Sequence, residues 1–183
     1  MDISEQQLVN QLRGGDKSAP RSLYSRYAGM LTAVCSRYVA DPDDVKDVMQ
    51  DVFVKAFTQI SSFAYRGEGS LRAWLVRITV NQSLTFLKNA GRLNIVSDEA
   101  FAADNIADEA PPDADGVPPE ELQRMIKRLP AGYRTVLNLY VFEDKSHKEI
   151  AQMLNIKPAS SASQLFHAKA MMARMIREYK RTH

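Results

Sequence analysis

The sequence has few of the residues that build metal centres, disulfides and membrane spans. It holds one cysteine, Cys35, and three histidines, so an internal disulfide and a thiolate zinc site are both excluded. No apolar run is long enough to span a bilayer, and residues 1–16 lack the basic and then apolar layout of a signal peptide. These absences indicate a cytoplasmic chain without metal and without direct membrane insertion.

The common enzyme motifs are missing as well. The chain contains no G-x-x-x-x-G-K-[ST] phosphate loop, no G-x-G-x-x-G dinucleotide motif and no G-x-S-x-G nucleophile turn. His147-Lys148-Glu149 is similar to the H-x-E of zinc deaminases, but the paired cysteines of that site do not occur. We therefore expect no catalytic residue, no cofactor and no enzymatic activity.

The net charge of +2 is distributed unevenly along the chain. Residues 1–88 carry eleven Lys and Arg against nine Asp and Glu, whereas residues 89–119 carry one against seven. Residues 120–183 carry twelve basic against six acidic residues. Such a basic block is typical of a nucleic-acid binder, although a solvated surface fits the charge alone equally well.

Helical periodicity covers the chain outside its acidic stretch. Apolar residues recur every three or four positions, and no alternating strand pattern of useful length occurs. Capping boxes begin at Ser4 and at Ser146. Periodicity is lost in 91–118, where Asp, Ala and Pro dominate and like charges repel. We predict an all-α fold of two small helical domains, 1–90 and 119–183, joined by a flexible acidic linker.

The last part of the chain has the pattern of a helix-turn-helix. Ser146 begins a short helix, residues 155–158 form a turn, and a longer helix follows with Ser160 or its neighbour as the cap. In this motif the second helix enters the major groove, and basic side chains contact phosphates. A helical hairpin in an unrelated bundle gives the same pattern. The predicted DNA-contacting residues are Lys148, Ser160, Ser161, Ser163, Gln164, His167 and Lys169.

The first domain combines an aromatic, basic loop with a polar helix face. Phe63 and Arg66 lie in the loop, and Trp74, Arg77 and Asn81 follow at helical spacing. Aromatic rings and Arg are the groups that hold unstacked bases. By residue type alone, core rings and solvated polar side chains are the more common outcome.

Two stretches, in this order, resemble the extracytoplasmic-function sigma factors of bacterial RNA polymerase. The second conserved region of that family resembles SLYSRYAGMLTAVCSRYVADPDDVKDVMQDVFVKAFTQISSF and the following SLRAWLVRITVNQSLTFLKN. The fourth region resembles LPAGYRTVLNLYVFEDKSHKEIAQMLNIKPASSASQLFHAKAMM. Together they cover about 22–89 and 119–178. The chain departs from the family's usual pattern in having Ala159-Ser160 at the start of the last helix, and Ala162 and His167 where Lys or Arg is common.

The resemblance implies a factor that binds core RNA polymerase and directs promoter recognition, promoter melting and transcription initiation. It implies that the first domain binds polymerase and the minus-ten element, and that the helix-turn-helix binds the minus-thirty-five element. The polymerase-binding residues would be Asp44, Asp47, Gln50 and Asp51. The minus-ten residues would be Phe63, Arg66, Trp74, Arg77 and Asn81.

An anti-sigma factor is a further partner that the resemblance implies. The factor would then lie at the nucleoid when active, or be held at the membrane by that partner. The alternative is a stand-alone helix-turn-helix transcriptional regulator. The DVKDVMQD segment and the helix that carries Trp74 and Asn81 argue against it.

Overall fold

The protein is described here from a computed structural model, which places residues 3–93 and 114–182. These residues form eight α-helices and no strand. They separate into two compact units, Met1–Ala90 and Gly91–His183. Most of the predicted linker 91–118 lies outside the described residues, and its predicted flexibility stays a prediction.

The first unit is a bundle of four helices. They are α1 (Glu5–Arg13), α2 (Ala19–Tyr38), α3 (Pro42–Gln59) and α4 (Ser70–Asn89), and a 3-10 turn (Ile60–Ser62) follows α3. The capping box of α1 is present: Ser4 Oγ accepts from the Gln7 amide, and Gln7 Oε1 accepts from the Ser4 amide. Asp41 caps α3 by accepting from the amides of Asp43 and Asp44. Local side-chain chemistry therefore sets where these helices begin.

Helices α2, α3 and α4 pack against one another around a core of Leu and Val side chains. Cys35 lies in this core, where Ser83 Oγ donates to its Sγ over 3.5 Å. Burial raises the pKa of the Cys35 thiol, so the thiolate form is disfavoured. The single cysteine is therefore a packing residue.

The second unit contains α5 (Pro119–Arg128), α6 (Ala131–Val141), α7 (His147–Leu154) and α8 (Pro158–Thr182). Helix α8 packs against the other three. Arg134 of α6 is buried, and its Nη1 donates to the carbonyl oxygens of Lys127 and Leu129 at 2.8 and 3.4 Å. Burial lowers the pKa of Arg134, and these two carbonyl oxygens give the buried guanidinium hydrogen-bond acceptors where α5 ends. Arg134 thus joins α5 to α6.

The start of the last helix differs from the prediction. Helix α8 begins at Pro158, so Ser160 lies within its first turn and does not cap it. Proline fits the first helical position because its φ angle is already helical and it has no N–H that needs a partner. The earlier start brings Ser161 into the helix, at a position on its buried side.

Candidate functional site

The side of α3 that faces away from the core carries the predicted acidic side chains. Asp47, Gln50 and Asp51 are exposed, and Asp44 is half-buried at the edge of the same face. Their spacing of three and four residues places them on one stripe of the helix. The structure therefore brings the predicted polymerase-binding residues together on one acidic surface.

Apolar side chains continue this stripe towards the end of α3, and the sequence did not reveal them. Val54 is 61% exposed, and the helical pattern alone would place Phe57 in the core although its ring is partly exposed. Tyr24 of α2 is also exposed, and its ring centroid lies 4.9 Å from that of Phe53. Exposed apolar side chains next to a polar stripe are a common feature of protein-binding surfaces.

The aromatic loop before α4 corrects the prediction for one of its residues. Phe63 is only 6% exposed, and its ring centroid lies 4.9 Å from that of Trp74. Because the protein covers this ring, Phe63 packs behind Trp74 and leaves little of its own surface for a ligand. Trp74 is half-buried, so part of its ring remains accessible.

The other predicted residues of this region are exposed. Arg66 lies in the loop, and Arg77 and Asn81 lie on α4 at positions that share a face with Trp74. Gly67 and Gly69 have φ angles of +118° and +87°, a region where other residues are strained, and they let the loop turn sharply into α4. The structure thus groups one aromatic ring, two guanidinium groups and one amide beside a tight loop.

Helices α7 and α8 form the predicted helix-turn-helix. The capping box of α7 is present, and hydrogen bonds from Ser146 lower the pKa of Glu149. Asn155 takes the left-handed conformation, with φ +57°, and ends α7. Lys148 and Lys169 are exposed, and Lys169 Nζ lies 5.6 Å from the ring centroid of Tyr140.

Burial corrects two of the predicted base-reading residues. Ser161 is fully buried and Gln164 is 3% exposed, because they share the inner stripe of α8 with Leu165 and Ala168. The Ser161 Oγ lies 3.0 Å from Nδ1 of His147 and so links α8 to α7. These two polar side chains are buried in the unit and leave almost no surface for a base to contact.

The outer face of α8 retains three predicted residues and adds one. Ser160, Ser163 and His167 are half-buried, and the His167 ring stacks on Tyr133 with centroids 5.6 Å apart. Phe166 is 42% exposed and lies on the same side of the helix as Ser163. Phe166 falls outside the apolar period of α8, and this position was the sequence signal that could have identified it as exposed.

The described part of the chain holds no group of three His, Cys, Asp or Glu side chains that could bind a metal ion. Among the described helices, none combines the length and the apolar composition that a membrane-crossing helix requires. The surfaces above carry exposed acids on α3, and exposed cations, an amide and aromatic rings on α4, α7, α8 and the loop before α4. Such side chains make them candidates for binding protein and nucleic acid.

Comparisons with known proteins match both units. The family model "Sigma-70 region 2" matches residues 23–93, and "Sigma-70, region 4" matches residues 119–172. The ECF RNA polymerase sigma-E factor of Haemophilus influenzae is 31% identical over 185 residues, which cover 95% of this chain and 96% of the relative. Its Escherichia coli K12 counterpart is 30% identical, with 91% of each chain covered.

A solved structure, that of CnrH in complex with the cytosolic domain of CnrY, shares the fold. The TM-score is 0.52 at 22% identity, with 96% of this chain and 99% of that chain covered.

Proposed function

Because the chain belongs to the extracytoplasmic-function sigma factors of RNA polymerase, we propose that its two units divide the promoter contacts between them. The factor acts in promoter recognition and transcription initiation. The first unit, residues 1–90, binds core polymerase and the minus-ten element. The second unit, 119–183, binds the minus-thirty-five element. The observation that carries this division is the order of the two matches, each on a unit with its own exposed polar surface.

In vitro transcription with purified core polymerase on a randomised promoter library tests this function directly. We expect transcripts whose upstream sequences share two short elements at a constant spacing. DNA binding without transcripts, and without capture of core polymerase, would instead favour the stand-alone helix-turn-helix regulator.

Core polymerase binds the acidic surface of α3, formed by Asp44, Asp47, Gln50 and Asp51. Three of these side chains are exposed, and the adjacent Val54 supplies an apolar contact that a partner can bury. Charges at the rim of an interface steer association, and apolar side chains at its centre supply most of the affinity. The combination supports a protein partner for this surface.

Reversing one charge of this surface should weaken polymerase binding. We expect Asp51→Arg to lower the affinity for core polymerase about fivefold, because one attraction becomes a repulsion at a solvated interface. Titration of labelled factor with core polymerase measures the effect. Glu178→Arg, at an exposed position of α8, changes the net charge by the same amount and serves as the control. Equal affinities for Asp51→Arg and the wild-type chain would contradict the assignment.

The minus-ten surface consists of Arg66, Trp74, Arg77 and Asn81, with Phe63 behind the Trp74 ring. A partly covered aromatic ring beside guanidinium groups can stack on an unpaired base while the cations bind the flanking phosphates. The surface therefore suits the single-stranded form of the element. Opening follows because binding favours the melted state.

The minus-thirty-five surface consists of Ser160, Ser163, Phe166 and His167 on the outer face of α8. Ser can hydrogen bond to several base edges, and an aromatic ring can contact the C5-methyl group of thymine. Lys148 of α7 and Lys169 of α8 contact the phosphates on either side. Base specificity and backbone affinity are thus separated between these two groups of residues.

Removing a phosphate-binding lysine should weaken binding to every sequence alike. We expect Lys148→Ala to reduce the slope of log affinity against log salt by about one, because one counterion fewer is released. Filter binding of the holoenzyme across a salt series measures this slope. Lys127→Ala on α5, also an exposed lysine, is the matched control. An unchanged slope for Lys148→Ala would place this lysine away from the phosphates.

The factor works in the cytoplasm at the nucleoid, and an anti-sigma factor holds it inactive, in some states at the membrane. The solved structure of similar fold is itself a complex, that of CnrH with the cytosolic domain of CnrY. Exposed apolar side chains on α2 and α3, such as Tyr24 and Val54, offer a surface for such a partner. Co-purification from cells that express the tagged factor tests for it.

A further inference from the structure

The carboxylate of Glu5 is buried and accepts three hydrogen bonds. Glu5 lies in the first turn of α1 and is 3% exposed. Its Oε1 accepts from the Tyr27 hydroxyl at 2.8 Å, and its Oε2 accepts from the amides of Gly69 at 2.8 Å and Leu71 at 3.2 Å. Burying a carboxylate costs free energy unless hydrogen bonds replace the lost water, and these three bonds supply that replacement.

These bonds replace a local cap for α4. The residue before α4 is Gly69, which is in the left-handed conformation and has no side chain to accept from the first turn. The amides at the start of a helix need acceptors, and a negative charge is favourable there because of the helix dipole. Glu5 supplies both from 64 residues earlier in the chain, whereas Ser4, Asp41 and Ser146 cap their helices locally.

The other end of α1 contacts the beginning of the same loop. Arg13 Nε donates to the carbonyl oxygen of Ile60 at 3.2 Å, and its Nη2 donates to that of Phe63. Arg26 of α2 also connects the segment before α1 to the loop. Its Nη1 donates to the carbonyl oxygen of Ile3, and its Nη2 forms an ion pair with Glu68 at 3.4 Å. Helix α1 is thus bonded to both ends of the loop 63–70.

We propose that α1 positions the loop 63–70 for capture of the unpaired minus-ten base, with Glu5 and Arg13 as its positioning residues. This rests on the minus-ten role proposed above for the loop. The loop contains Gly67 and Gly69, which allow many backbone conformations. Its own hydrogen bonds span at most four residues, such as those of Ser70 Oγ, which donates to the Gly67 carbonyl oxygen at 2.6 Å and accepts from the Arg66 amide at 3.2 Å. The bonds from Glu5 and Arg13 are the ones that fix the loop to α1. A binding surface that is already ordered loses less entropy when its ligand arrives.

Glu5→Ala should therefore impair opening without impairing polymerase binding. We expect permanganate reactivity of a duplex promoter to fall about fivefold or more, because two amides of the loop and α4 lose their acceptor. Transcription from a promoter already unpaired at the minus-ten element should stay within about twofold, since opening is no longer required. Glu5→Gln keeps an acceptor oxygen for both amides and should restore most of the duplex activity.

Two further variants separate positioning from general stability. Leu87→Ala, at a buried position near the end of α4 that is far from the loop, lowers the stability of the unit and should not change the ratio of duplex to unpaired activity. Arg13→Gln removes the contact at the other end of the loop and should reproduce the Glu5→Ala ratio. Equal losses on both templates, or the same ratio for Leu87→Ala, would overturn the proposal.

The proposed function is tested alongside with Arg66→Ala. If Arg66→Ala reduces opening and Glu5→Ala leaves the ratio unchanged, the positioning role of α1 is wrong and the minus-ten role stands. If Arg66→Ala leaves opening unchanged, the minus-ten role of the loop is itself wrong, and the positioning role that rests on it is wrong too.

Discussion

Replacing Arg66 and Arg77 together by alanine should reduce promoter opening about a hundredfold, because each group contributes roughly 1–3 kcal/mol to the hold on single-stranded DNA. Both guanidinium groups are exposed, one in the loop and one on α4. Neither belongs to the acidic surface of α3, so affinity for core polymerase should stay at the wild-type value. The mutant holoenzyme should still assemble and still find the upstream element.

Permanganate footprinting of the unpaired thymines measures opening, and titration with core polymerase measures assembly. Arg72→Ala is the matched control, because Arg72 is an exposed arginine of α4 that lies five positions before Arg77 and so on a different side of the helix. Normal opening by the double variant would mean that both arginines are only solvated. A loss equal to that of the Arg72→Ala variant would point to general charge, not to this surface.

Phe166→Ala should abolish a preference for thymine at one position of the upstream element. The ring is exposed on the outer face of α8, where it can contact a C5-methyl group, and burying one methyl group is worth about 1 kcal/mol, or roughly fivefold. Promoters in which one thymine is replaced by deoxyuridine lack only that methyl group. The wild-type holoenzyme should bind one such promoter about fivefold more weakly, and the variant should bind both forms alike.

Met171→Ala provides the comparison for this experiment, since Met171 is also an exposed apolar residue of α8 but lies further along the helix. It should keep the wild-type preference for thymine. A uniform loss of affinity for every promoter after Phe166→Ala would instead indicate that the ring supports the fold of the unit. Indifference of the wild-type holoenzyme to every deoxyuridine replacement would show that the ring does not read a methyl group.

The beginnings of three helices could be predicted because they depend on neighbouring residues. Ser4 with Gln7 and Ser146 with Glu149 form their capping boxes within three positions, and Asp41 accepts from amides two and three residues ahead. Such signals are complete in the local sequence. The all-α fold and the order of its helices follow from them together with the apolar period.

The direction in which α8 presents its side chains could not be predicted in the same way. A polar run such as Ser160 to Gln164 suggests solvent on every side, but two of its members face the core once the helix begins at Pro158. The partner that satisfies Ser161 is His147, fourteen positions earlier and on another helix. The burial of both members of the run follows from the spacing of Leu165 and Ala168 once the helix is known to extend back to Pro158. The distant hydrogen-bond partner of Ser161, in contrast, leaves no local pattern to detect.

Contacts with distant residues also explain why the surroundings of Phe63 and Glu5 could not be predicted. Phe63 follows a 3-10 turn and precedes a glycine-containing loop, so no periodicity indicates that its ring packs on Trp74. Glu5 has the appearance of an ordinary acid in the first turn of a helix, where a negative charge is favourable anyway. Its bonds to Gly69 and Leu71 require knowledge of which helices meet.

The position of Trp74 beside Phe63 also makes its intrinsic fluorescence a probe of the loop before α4. Trp74 is the only tryptophan in the chain, so tryptophan emission from the isolated factor arises at this one place. The indole is half-buried, and a base that stacks on it changes both its solvent exposure and its electronic surroundings. With the minus-ten role proposed for this loop, we expect the fluorescence of the unlabelled factor to follow occupation of the loop by single-stranded DNA, without a dye and without a change of sequence.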